Sequence, residues 1–237
     1  MRIQILQHAP FEGPGHITEW AASRSFSLEV VHTYRGIPPG SPDEYDWLVI
    51  LGGPMSATDE KPWLRNEKKV IAEALNAAAA GKAKVIGICL GAQLVAQAMG
   101  ANISQSAEKE IGWLDMNFTE EARATHYFAD FPSRTTVFHW HGEQFDLPPT
   151  CSNLGSTELT ECQGFYHGSN IFGFQFHLEM LSNGIQNLMK HCKKDLKGHE
   201  KLAFVQSPKE IEAGIKNHLA ENRRLLDRFL DELVERT

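Results

Sequence analysis

The 237-residue chain is long enough to bury a substantial core, in one large or two small domains. Its 30 acidic and 23 basic residues leave a formal net charge of −7 with both signs mixed along the length, so no basic stripe marks nucleic acid as a direct partner. No apolar run approaches the ~20 residues of a membrane span, and Cys89, Cys151, Cys162 and Cys192 include no Cys-x-x-Cys pair that would signal a zinc ribbon or a disulfide framework. A soluble cytoplasmic protein is the expectation.

Arg2 to Gln7 has the pattern of a first strand rather than a signal peptide, because the apolar stretch stops at Gln7-His8. An amphipathic stretch from Ile17 to Arg24 separates it from a second strand, Leu28 to Thr33. Trp47 to Leu51 is a third strand, Asn66 to Ala80 an alanine-rich helix, and Ala83 to Ile88 a fourth strand, with a helix-like stretch from Ala92 to Met99 after it. This α/β alternation predicts an open, mostly parallel twisted sheet with helices on both faces. Next come β-segments at Asn102 to Gln105, Leu114 to Phe118, Thr135 to His139 and Gln163 to Phe176, several close enough to pair as a small antiparallel element. His167-Gly168-Ser169-Asn170 has the residues of a hairpin turn. From Ser182 the chain turns helical. Between Glu210 and Arg236, Ile211, Ile215, Leu219, Leu226, Phe229, Leu230 and Leu233 form an apolar stripe suited to packing against the domain or a partner helix. Without a repeat, low-complexity segment or linker, a single domain over residues 1–237 is expected, with a core of about 1–180 and a helical C-terminal extension of about 181–237.

Gly87-Ile88-Cys89-Leu90-Gly91 places a cysteine at the junction of the fourth strand and its helix. A small-x-nucleophile-x-small pattern there describes a nucleophile elbow, and ligands of such sheets bind at the carboxyl ends of the strands. A helix N-terminus favours the thiolate, the form that attacks carbon. Most cysteines in such a position pack, however, and the motif alone fits packing and catalysis equally well. A thiol nucleophile needs a base and something to orient that base. His177 and Glu179 follow the buried run Phe172 to Phe176, spaced so that both face one side of an extended strand. Leu51-Gly52-Gly53-Pro54, past the third strand, is either a simple turn or a loop whose N–H groups approach a ligand.

Together, Gly-Gly-Pro after the third strand, Gly-x-Cys-x-Gly after the fourth and His-x-Glu late in the chain resemble the class I glutamine amidotransferase domain, whose sheet is flavodoxin-like. The resemblance covers about residues 1–180 and is closest to stand-alone proteins similar to the glutaminase part of GMP synthase. Gln7-His8-x-Pro10-Phe11-Glu12-Gly13-Pro14-Gly15, Pro62-Trp63-Leu64, Gly91-Ala92-Gln93-Leu94, Glu110-Ile111-Gly112-Trp113 and His139-Trp140-His141-Gly142-Glu143 add to it. The resemblance implies that Cys89 attacks the side-chain amide of glutamine, that His177 serves as base and then acid, and that Glu179 orients it. It further implies an oxyanion hole from the N–H groups of Gly53 and Leu90, and substrate contacts from Gln93, His141 and Gly142. Two positions depart from the family: Leu178 stands where proline is usual, and Glu143 where aspartate is common.

His139, His141 and Glu143 could pass for metal ligands, but the resemblance accounts for the segment without one, so neither metal nor cofactor is expected. No phosphate-binding loop and no Ser-Gly-Gly-x-Asp-Ser activating loop occurs. The released ammonia is therefore expected to need a synthase or acceptor subunit. The alternative is a γ-glutamyl peptidase or hydrolase, which would use the same triad on γ-glutamyl peptides or conjugates. A regulatory protein without turnover is a further alternative. An α/β-hydrolase is excluded by chain order, because its acid precedes its histidine whereas Glu179 follows His177.

Overall fold

The computed structural model describes residues 1–198 and 201–235. The first half alternates β1 (Arg2–Gln7), α1 (His16–Ser23), β2 (Ser27–His32), β3 (Trp47–Ile50), α2 (Pro62–Ala79), β4 (Lys84–Ile88) and α3 (Leu90–Ala98). The second half carries β5 (Ile103–Phe118), a single-turn α4 (Glu120–Arg123), β6 (Arg134–Phe145), β7 (Ser152–Ser156), β8 (Gly164–His167), β9 (Ile171–Phe174), α5 (Ser182–His191) and α6 (Pro208–Glu235). Among the described residues nine strands join one sheet in the order β2-β1-β3-β4-β9-β8-β7-β5-β6. The half from β2 to β9 is parallel, and the half from β9 to β6 is antiparallel.

Strand periodicity sorts the apolar side chains into two layers. Trp47, Val49, Ile86 and Ile88 face one core together with Trp20 of α1 and Leu226, Phe229, Leu230 and Leu233 of α6. Leu48, Ile50 and Val85 face the other, with Ile71 and Leu75 of α2 and Leu94 and Val95 of α3. The expected apolar stripe of the last helix thus packs on the sheet itself, and Phe229 stacks on Phe128 at 5.5 Å. Arg236, the expected end of that helical segment, lies outside the described residues.

Several boundaries differ from those expected. α2 starts at Pro62, four residues before Asn66, because proline suits the first helical turn, where its missing N–H has no partner to lose. The two segments expected at 102–105 and 114–118 belong to one 16-residue strand with a register shift between Gln105 and Glu110. The expected hairpin turn does separate β8 from β9, and Gly168 supplies its φ of 57°.

Candidate active site

The strand registers build the site. Leu6 pairs with Ile50, Ile50 with Gly87, and Ile88 with Phe174, so β1, β3, β4 and β9 end level. The segments that leave them converge on one edge of the sheet, as the switch from strand to loop demands.

Cys89 occupies the turn between β4 and α3 with φ 51° and ψ −110°. Such a backbone costs a non-glycine residue about 1–3 kcal/mol and is retained where the surroundings enforce it. Here Cys89 N–H donates to the Phe174 carbonyl at 2.7 Å, and the helix begins at once. Gly91 makes the tight turn possible, since a Cβ there would lie 2.0 Å from the Ile50 carbonyl oxygen. Cys89 lines a cavity of about 320 Å³, and its sulfur lies 3.7 Å from the Trp140 carbonyl oxygen.

His177 and Glu179 are placed differently from the strand-end pattern expected of them, because β9 stops at Phe174. An isolated bridge instead holds His177, whose N–H donates to the Phe138 carbonyl of β6 at 2.8 Å. The backbone of Glu179 is clamped from the other side: its carbonyl accepts the His16 N–H at 2.8 Å. Only glycine fits at position 15, where φ is +53° and a Cβ would lie 2.0 Å from that same carbonyl oxygen. Leu178, at the position where proline is usual, is buried in the core. The result is a buried pair in which His177 Nδ1–H donates to Glu179 Oε1 at 2.6 Å. Burial pulls the imidazole pKa down, but Glu179 and the nearby Cys89 outweigh it and hold His177 well above the ordinary 6.5. Nε2 has no hydrogen-bond partner among the described residues, which leaves it available on the side of the ring opposite Glu179.

The other expected residues gather around the same cavity. Gly53, Gln93, His141 and Gly142 line it. The N–H groups of Gly53 and Leu90 have no acceptor among the described residues. Gln93 Nε2 is already engaged, donating to the Glu143 carbonyl at 3.2 Å and to Gln175 Oε1 at 3.1 Å. His141 Nδ1 donates to the Glu143 carbonyl at 3.2 Å, while burial pushes its pKa down to about 4 against the pull of Glu110. His139 lies behind this wall, fully buried, and burial holds its pKa well below 6.5.

Three further groups meet the site. His8 and Glu67 form an ion pair with no solvent exposure at 2.7 Å. Glu67 lies on the inward face of α2 with Leu64 and Ile71, and an acid inside an apolar stripe is the sequence signal that marks it. Glu12 is buried beside the imidazole: a Cβ on Gly52 would lie 2.3 Å from Glu12 Oε1 and 3.3 Å from His177 Cε1. Burial raises the Glu12 pKa from the usual 4.5 to about 7, with His177 acting in the opposite direction.

That shift has a defined sign. The folded state holds the Glu12 proton more firmly than the unfolded chain, so its contribution is complete below 4.5 and lost as the pH rises through about 7. At about 1.4 kcal/mol for each tenfold change, the stabilisation at stake is about 3 kcal/mol. Glu12→Gln should therefore be close to neutral at pH ~5 and more stable than the parent at pH ~8 by up to that amount. Urea unfolding at the two pH values measures it, and a variant gap unaffected by pH would contradict the placement.

Known proteins share the sequence pattern and the fold of this chain. Residues 16–192 match the model of the family described as glutamine amidotransferase class-I. The chain is 35% identical over 241 residues to the putative glutamine amidotransferase-like protein YfeJ of Salmonella typhimurium, covering 99% of this chain and 98% of that one. It is 30% identical to a glutamine-hydrolyzing GMP synthase subunit of Saccharolobus solfataricus, over 67% of this chain and 85% of the relative. A crystal structure of a glutamine amidotransferase from Thermotoga maritima superposes with a TM-score of 0.88 at 28% identity, covering 99% of this chain and 98% of that one. The cysteine turn, the His-Glu pair and the mixed sheet that brings them together therefore sit in a chain that belongs to the class I glutamine amidotransferase family.

Proposed function

We propose that this chain hydrolyses the side-chain amide of glutamine through a γ-glutamyl thioester on Cys89. The observation that carries the reading is the strained Cys89 turn on the cavity wall, with the buried His177–Glu179 pair beside it. His177 Nε2 takes the thiol proton, and the sulfur attacks the amide carbon. The carbonyl oxygen gains negative charge against the N–H groups of Gly53 and Leu90. The imidazolium returns its proton to the amide nitrogen, the C–N bond breaks, and ammonia leaves. Water, deprotonated by the same nitrogen, then attacks the thioester; the C–S bond breaks and glutamate departs. Glu179 stabilises the imidazolium in both halves.

The cavity of about 320 Å³ lies at the small end of ligand pockets, roughly 300–1,000 Å³. A relative whose name makes it one subunit of a glutamine-hydrolyzing GMP synthase supports a partner that consumes the ammonia. Assaying glutamine beside γ-glutamyl dipeptides, with ammonia and glutamate measured together, tests the reading. Equimolar ammonia and glutamate from glutamine is the expected result, and preference for a dipeptide would replace the reading with a γ-glutamyl peptidase.

A further inference from the structure

Two ring nitrogens of one buried histidine point at acceptors. His8 Nδ1 lies 3.0 Å from the Gly52 carbonyl oxygen, and Nε2 lies 2.7 Å from Glu67 Oε1. A carbonyl oxygen and a carboxylate only accept, so both bonds exist together only when the ring carries both protons. Side chains of His8 and Glu67 have no solvent exposure. A buried ion pair of this kind is a poor source of stability compared with apolar residues of similar volume. Its geometry, however, controls one peptide unit.

No cis peptide bond occurs among the described residues. In a trans peptide the C=O and N–H point in opposite directions. Holding the Gly52 carbonyl on His8 therefore turns the Gly53 N–H away from His8. A Cβ at Gly53 would lie 2.8 Å from His8 Cβ and 3.0 Å from Leu90 Cδ2, which sets this residue between the histidine and the first residue of α3. Gly53 lines the cavity that holds Cys89. Two consecutive glycines offer no side chain to resist rotation of the peptide between them. A rotated peptide would present its carbonyl oxygen, a repulsive group, to a developing oxyanion.

We propose that His8, held by Glu67, is a positioning residue that locks the Gly52–Gly53 peptide with its N–H presented to the oxyanion of acyl transfer at Cys89. The proposal rests on the hydrolytic reading above and adds a named device to it. Glu67 supplies the acceptor that keeps Nε2 protonated without withdrawing the Nδ1 proton from Gly52. A simple isostere separates the two jobs. In Glu67→Gln a neutral ring still donates from Nδ1 to Gly52 while the new amide donates to Nε2, so the lock survives.

His8→Phe alone leaves Glu67 buried and unpaired, so the informative variant is His8→Phe/Glu67→Leu, which removes the charges and the lock together. Its kcat on glutamine should fall about 100-fold, the loss of one oxyanion donor, with KM within about threefold of the parent. Alkylation of Cys89 by iodoacetamide forms no oxyanion, and its rate should stay within about twofold while the thiol and His177 are undisturbed. Glu67→Gln should keep kcat within about tenfold of the parent, since the donor to Gly52 remains. A double variant with parental kcat overturns the proposal, as does one whose alkylation rate falls in step with turnover. Running both variants on p-nitrophenyl acetate separates this idea from the choice of substrate. A parent protein that cleaves the ester but not glutamine sinks the glutamine reading, while the ester kcat still reports the lock. A parent protein inert to both sinks the hydrolytic reading and the lock with it.

Discussion

Cys89→Ser is expected to lower ammonia release from glutamine roughly 10⁴- to 10⁶-fold, the span seen when one member of a hydrolase triad is removed. The substitution exchanges one atom in a side chain that lines the cavity, so the pocket and the His177–Glu179 pair stay in place. What changes is the nucleophile. A hydroxyl gives up its proton far less readily than a thiol, so the same base produces far less of the attacking anion at neutral pH. The serine variant should therefore still bind glutamine while turning it over at a rate near background. Ammonia and glutamate assays beside a thermal unfolding curve distinguish this from misfolding. Retention of more than about one per cent of the activity would remove Cys89 from the chemistry.

Glu67→Leu alone is expected to cost about 3–5 kcal/mol, the penalty of leaving a buried charge without its partner. The double change His8→Phe/Glu67→Leu should be no less stable than the parent, since apolar residues of similar volume replace a fully desolvated pair. The pH dependence follows from His8. Burial lowers its pKa, but Glu67 and the Gly52 carbonyl outweigh that and leave it above the ordinary 6.5. A raised pKa in the folded state means the pair contributes fully below 6.5 and loses its contribution as the pH rises through the folded value. The gap between the parent and Glu67→Leu should accordingly shrink from pH ~6 to pH ~9 in urea unfolding, and a widening gap would contradict a charged His8.

The proposed reacting groups were legible because each is announced by its immediate neighbours. Cys89 has its two glycines, and His177 and Glu179 are spaced two apart after an apolar run. Their supports were not, because these act across long sequence separations. The Phe138 carbonyl fixes His177, and His16 N–H fixes Glu179. β7 went unseen because Ser152–Ser156 is built from Ser, Asn, Leu and Gly, and its pairing with β5 and β8 overrides a weak strand preference. β6 runs past His139 to Phe145, so His141 and Gly142 lie on a strand that forms the cavity wall rather than beyond its end. In α6, Leu225 and Asn222 are buried inside the expected stripe, and Gly214 allows contact with Trp113, where a Cβ would lie 2.0 Å from the ring. The parallel half of the sheet followed from alternating strands and helices, while the antiparallel half depended on partners that one-dimensional patterns do not reveal.

Above all, Cys89 should form a covalent bond with the side-chain carbonyl carbon of a glutamyl group. Incubating the protein with a glutamine-like diazoketone or chloroketone, then digesting it and sequencing the peptides by mass spectrometry, tests this most directly. A single adduct on Cys89, slowed by added glutamine and lost in His177→Ala, is the result the structure leads us to expect. Labelling of Cys151, Cys162 or Cys192 with Cys89 unmodified, or no adduct at all, would contradict it.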